Sequence, residues 1–192
     1  MAASELSRRR RTRPRWLPAE AGRTWLYAYA AVWATTLTTT AVVGLVGRPV
    51  AAPARRLLGL TLTAHGNPPP QLGHVLALAA HNLPIASWPL LLGVLGAHHH
   101  RAATHVADGL LLACIIANAA PVGAALGAYG TALLPFIPQL PLEWGALALG
   151  ASGWLAQRRA ALTIRQGLAM LALIACALLC AAIVESVGVP HR

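Results

Sequence analysis

With 192 residues, 57% of them hydrophobic and only 10% charged, and a mean hydropathy of +0.59, the chain is too apolar for a soluble domain and reads as an integral membrane protein. A span takes roughly 20 apolar residues, so about five spans fill the length and leave no room for a soluble catalytic domain. The net charge of +10 comes from arginine alone, since the sequence has no lysine; the basic run Arg8–Arg15 lacks interleaved aromatics, so it is read as a topology signal touching anionic lipid, not as a nucleic-acid surface.

Residues 1–22 form the basic amino terminus, with Pro14 and Pro18, and are expected to be disordered on the cytoplasmic side. The first span is expected over 25–46. The apolar run Thr24–Gly47 exceeds the roughly 7–15 residues of a signal h-region, so it is read as a retained anchor even though Ala51-Ala-Pro-Ala54 resembles a cleavage site. Trp25, Tyr27, Tyr29 and Trp33 are placed as interface aromatics. Thr35, Thr36, Thr38, Thr39 and Thr40 follow, with hydroxyls expected to bond back to their own helix. Between Arg48 and Gln71 the chain breaks at Pro49 and Pro53, and the short segment Ala54–Ala64, with Arg55 and Arg56, is expected along the interface.

The second span, 74–96, is kinked by Pro84 and Pro89 and carries His81 and Asn82. A solvated loop is expected over Ala97–Ala107, holding His98, His99, His100, Arg101 and His105. Adjacent histidines do not converge easily on one metal ion, so the loop reading is preferred to a metal site. The third span, 108–130, opens on Asp108, an acid suited to a helix amino terminus. It contains Asn118, Pro121 and the pair Gly123 and Gly127, whose spacing lets two helices approach closely. Then come three prolines three residues apart, Pro135, Pro138 and Pro141, followed by Glu143. Regular helix cannot run through that spacing, and a re-entrant-like element is expected there. The fourth span, read from Glu143 to Ala156, covers only about 21 Å at ~1.5 Å per residue, so Leu133–Leu142 are expected to complete a crossing over 133–156. The fifth span is 163–187 and ends near Glu185.

With the amino terminus inside, eleven arginines fall on the inner segments and four (Arg48, Arg55, Arg56 and Arg192) on the outer ones, as the positive-inside rule asks. Glu143 and Glu185 then share the outer side with Arg55 and Arg56, and an ion pair between these sets is expected to dock the outer segment. Cys114, Cys176 and Cys180 lie in apolar segments and form no disulfide framework. Gly150-Ala-Ser-Gly153 fits the GxSG pattern of rhomboid-type proteases. Ser152 has only His191 after it as a base, and close helix packing explains the tetrad better.

Four stretches together resemble the stage II sporulation protein M family over roughly residues 73–190. They are His81-Asn-Leu-Pro-Ile-Ala-Ser-Trp-Pro-Leu-Leu-Leu-Gly93; Asp108-Gly-Leu-Leu-Leu-Ala113 with Gly123 and Gly127; Leu134-Pro-Phe-Ile-Pro-Gln-Leu-Pro-Leu-Glu143 leading to Gly150-Ala-Ser-Gly153; and Ala181-Ala-Ile-Val-Glu185. Pro138-Gln139 stand where that family tends to carry His-Gly. The resemblance implies a multi-pass inner-membrane protein that is not an enzyme and that tethers or positions a peptidoglycan-degrading complex. The sequence reading is thus an all-α membrane protein of the cell membrane with about five transmembrane helices and a cytoplasmic amino terminus. Its first functional reading is a non-enzymatic scaffold in the cell envelope. The alternative is a transporter or permease subunit with Asn82, Asn118 and Glu143 along a path, and the third is a hydrolase using Ser152. No cofactor, metal or nucleic acid is expected. The expected partners are the lipid bilayer and other envelope proteins, and Glu143, Glu185, Asn82, Asn118, Arg55 and Arg56 are the polar residues singled out.

Overall fold

The computed structural model describes residues 19–46, 72–96, 99–159 and 162–188. The Arg8–Arg15 run, the connection holding Arg55 and Arg56, and His191 lie outside them, and with them the expected ion pairs to Glu143 and Glu185. The described chain is all-α: α1 (Ala19–Val46), α2 (Leu72–Val94), α3 (Arg101–Tyr129), a 3-10 segment (Gly130–Phe136), α4 (Leu140–Arg159) and α5 (Ile164–Gly188). Four of these helices, α1, α2, α3 and α5, are long and apolar enough to cross a membrane. The 20 residues of α4 reach about 30 Å at ~1.5 Å per residue, which also matches a bilayer core.

Several boundaries differ from the sequence reading. α1 starts at Ala19, inside the stretch expected to be a disordered tail. α3 starts at Arg101, so Arg101 and His105 are helical and not in a solvated loop, and Asp108 lies two turns into the helix. Of Leu133–Leu142, expected to complete the fourth crossing, residues 140–142 do extend the fourth helix, while residues 133–136 belong to a separate 3-10 segment. The 3-10 segment ends at Phe136, and α4 starts at Leu140, three residues earlier than expected, and runs to Arg159. The helix gains those residues because Pro141 falls in its first turn, where a missing N–H costs nothing. The N–H groups of Leu142 and Glu143 both donate to the Gln139 carbonyl (3.0 and 3.2 Å). Pro84 and Pro89 are accommodated inside a continuous α2.

The helices alternate in direction. α1 and α3 run parallel, because Thr36 Oγ1 lies 3.2 Å from the Ala119 carbonyl while Gly127 faces Thr40 and Val43 further along both helices. α2 and α4 are also parallel: Asn82 meets Glu143 at one end and Gly93 meets Gln157 at the other. Asp108 on α3 pairs with Arg158 on α4, and Gly167 on α5 abuts Val94 on α2, so α3 and α5 oppose them. Glycine makes these contacts close. A Cβ on Gly123 would meet the Thr36 carbonyl and stand 2.9 Å from Thr39 Cβ; one on Gly127 would stand 2.6 Å from the Thr40 carbonyl. The Gly123–Gly127 face therefore packs within the chain, against the threonines of α1. Those threonines do bond back to their own helix, as Thr35 to Ala31, Thr39 to Thr35 and Thr40 to Thr36.

α4 is the axis of the bundle. Its Trp144, Leu147, Ala148, Ala151 and Trp154 pack with Val32 of α1 and Leu111 and Ile115 of α3. Its Ala146 packs with Leu90 of α2 and Met170, Ile174 and Leu178 of α5. Trp25, Tyr29 and Trp33, placed by sequence at the interface, face this core. Trp33 meets Trp144 edge-on at 4.4 Å, and Trp25 Nε1 donates to the Gly145 carbonyl at 3.0 Å. Tyr27, on the opposite face of α1, is exposed. Leu26, Leu37, Leu110, Leu112, Ile116 and Leu173 point outward, where lipid is the solvent.

Candidate functional site

Charge divides the bundle. The described arginines are Arg23, Arg101, Arg158, Arg159 and Arg165. Each sits at the start of α1, α3 or α5 or at the end of α4, and the alternation of the helices puts all of these at one end. Glu143, in the first turn of α4, and Glu185, near the end of α5, lie at the other end.

The Glu143 end contains a cavity of about 120 Å³ whose polar lining is Asn82, Asn118 and Glu143, with Trp144, Leu147 and Leu178 among its apolar walls. Three helices contribute the three polar groups. Asn82 Nδ2 donates to Glu143 Oε1 at 3.4 Å, a long bond that leaves the carboxylate room for a stronger partner. Asn118 Nδ2 donates to the Cys114 carbonyl at 2.7 Å, one helical turn back. This bond fixes the carboxamide while its oxygen remains a potential acceptor. Glu185 is near enough to Glu143 for their charges to repel, and His74, at the start of α2, interacts with Glu185. The sequence-singled residues Asn82, Asn118, Glu143 and Glu185 are thus gathered at one end of the molecule. Chemically, a carboxylate flanked by two carboxamides accepts a cationic side chain, an ammonium group or a hard cation.

The other singled-out groups are placed differently. Ser152 is fully buried in α4, and its hydroxyl donates to the Leu149 carbonyl at 2.8 Å. Gly150 and Gly153 flank it and bring α4 against Ala86 and Leu90 of α2. Among the described residues, no group of three or more His, Cys, Asp or Glu side chains is placed to hold a metal ion.

One constellation was missed by sequence reasoning. Arg158 Nη1 lies 2.9 and 2.8 Å from the two carboxylate oxygens of Asp108, and Trp154 Nε1 donates to the first of them at 2.9 Å. Asp108 ties α3 to α4 instead of capping a helix. The alternating topology already placed Asp108 and Arg158 on the same side, and that was the signal available.

No protein-family model, curated protein or solved structure matches the chain.

Proposed function

We propose that this multi-pass protein sits in the cell membrane with its amino terminus in the cytoplasm and works as a non-enzymatic scaffold, holding a basic segment of an envelope partner at the acidic end of its bundle. The observation that carries this reading is the convergence of Glu143 and Glu185 from two helices at the end that, among the described residues, has no arginine. Acids at membrane depth are costly and are paired or functional. The five described arginines at the opposite end support this orientation, by the positive-inside rule. The scaffold role itself is what the resemblance to the stage II sporulation protein M family implies; the assignment of the acids rests on the geometry alone.

The test is a photo-crosslinking residue in place of His74, beside Glu185, in membranes of the source cell. A discrete adduct is expected. It should disappear in the Glu143→Gln/Glu185→Gln double variant and persist in Arg55→Gln/Arg56→Gln, whose arginines are the internal competitors for the acids. An adduct that survives neutralisation of both acids, or no discrete adduct, contradicts the scaffold. A second reading, a permease subunit, is favoured by the cavity shared by Asn82, Asn118 and Glu143. Purified protein in liposomes separates the two: a path gives cation flux that Glu143→Gln stops, and a scaffold gives none in either form.

A further inference from the structure

We propose that the cleft at the arginine end, between the start of α3 and the end of α4, binds the phosphate of an anionic phospholipid headgroup. The cleft has a volume of about 410 Å³ and is lined by His99, Arg101, Thr104, His105 and Arg158. Each of the two helices supplies one guanidinium, the group whose planar fork matches phosphate oxygens. Arg158 is oriented in advance, because its Nη1 is held by Asp108. That single aspartate leaves an excess of positive charge, with two arginines lining the cleft. The first turn of α3 adds the partial positive charge of a helix amino terminus. A tight turn places the histidine side of the cleft. Gly96 closes α2 at φ 79°, its N–H bonds the Gly93 carbonyl at 3.1 Å, and the His99 N–H bonds the Gly96 carbonyl at 3.0 Å.

The apolar surroundings favour a lipid over free phosphate. Leu95 stands exposed on the α2 side of this turn, and Val106, Leu110 and Leu112 are exposed along α3 toward the bundle middle. A headgroup in the cleft therefore lays its acyl chains on apolar helix surface. The site does not depend on the acidic end or on which side of the membrane either end faces.

The experiment uses the full chain in a neutral detergent. Phosphatidylglycerol, phosphatidylcholine or inorganic phosphate is added, with thermal unfolding followed by tryptophan fluorescence and retained lipid counted by native mass spectrometry. Phosphatidylglycerol alone should raise Tm and remain bound. Arg101→Gln with His105→Gln, both exposed and outside the Asp108 pair, should weaken that binding about tenfold or more, the scale of a lost charge-assisted bond. Arg165→Gln, an exposed arginine at the same end but outside the cleft, should bind as the wild type does. Equal shifts with phosphatidylcholine, the full effect from inorganic phosphate alone, unchanged affinity in the double variant, or an equal loss in Arg165→Gln would each overturn the proposal.

Discussion

Replacing Gly150 with valine is expected to abolish the monodisperse bundle, measured by size-exclusion chromatography of the protein in mild detergent. A Cβ at this position would run into the Ala86 carbonyl on α2, a backbone atom that cannot swing away, with Pro89 Cδ 3.5 Å off. Overpacking typically costs about 1–3 kcal/mol where side chains can give, and a collision with backbone belongs at or above the top of that range. Gly150→Ala should remain soluble but unfold at markedly lower denaturant. The controls are Gly145→Ala and Gly109→Ala, where an added Cβ meets nothing within 4 Å. These should be neutral or gain up to about 1 kcal/mol from helix propensity. If Gly150→Ala and Gly145→Ala behave alike, α2 and α4 are not packed as described.

Asp108→Ala is expected to have the second-largest effect. It removes the partner of Arg158 and the acceptor of the Trp154 indole together. Both charged side chains are 37% exposed, so the Coulomb part is screened, and about 1–3 kcal/mol is the expected loss, set mainly by the orphaned donors. Asp108→Asn keeps an acceptor for the indole and should cost less. The exchange Asp108→Arg with Arg158→Asp should recover part of the ion pair but not the indole bond. Chemical denaturation of these variants checks the order. Equal stability of Asp108→Ala and wild type would remove this pair as the tie between α3 and α4.

The membrane class and the four apolar spans were legible because α1, α2, α3 and α5 are long and apolar, with side chains such as Leu26, Leu76, Leu110 and Leu173 exposed on their outer faces. α4 was harder because Glu143 in its first turn and Gln157, Arg158 and Arg159 at its end lower its hydropathy, although its middle is buried among the other helices. Pro141 reads as a breaker in the sequence, yet α4 starts at Leu140 because a helix tolerates proline in its first turn. The aromatic ladder was visible in the spacing of Trp25, Tyr29 and Trp33, four residues apart on one face, with Tyr27 off it. Reading them as interface residues ignored that periodicity. The gathering of Asn82, Asn118 and Glu143 followed from alternating spans, whereas the cleft beside Arg101 needed the true start of α3, which hydropathy placed seven residues late.

The docking reading depends on the bundle crossing the membrane five times with the arginine end inside and the acidic end outside. Single-cysteine labelling with a membrane-impermeant maleimide in intact cells tests this directly, in a background with Cys114, Cys176 and Cys180 replaced by alanine. His74→Cys, at the start of α2, should label in intact cells, and Arg165→Cys, at the start of α5, only after the cells are permeabilised. Labelling of Arg165→Cys in intact cells while His74→Cys stays protected would contradict the orientation and place the acidic end in the cytoplasm.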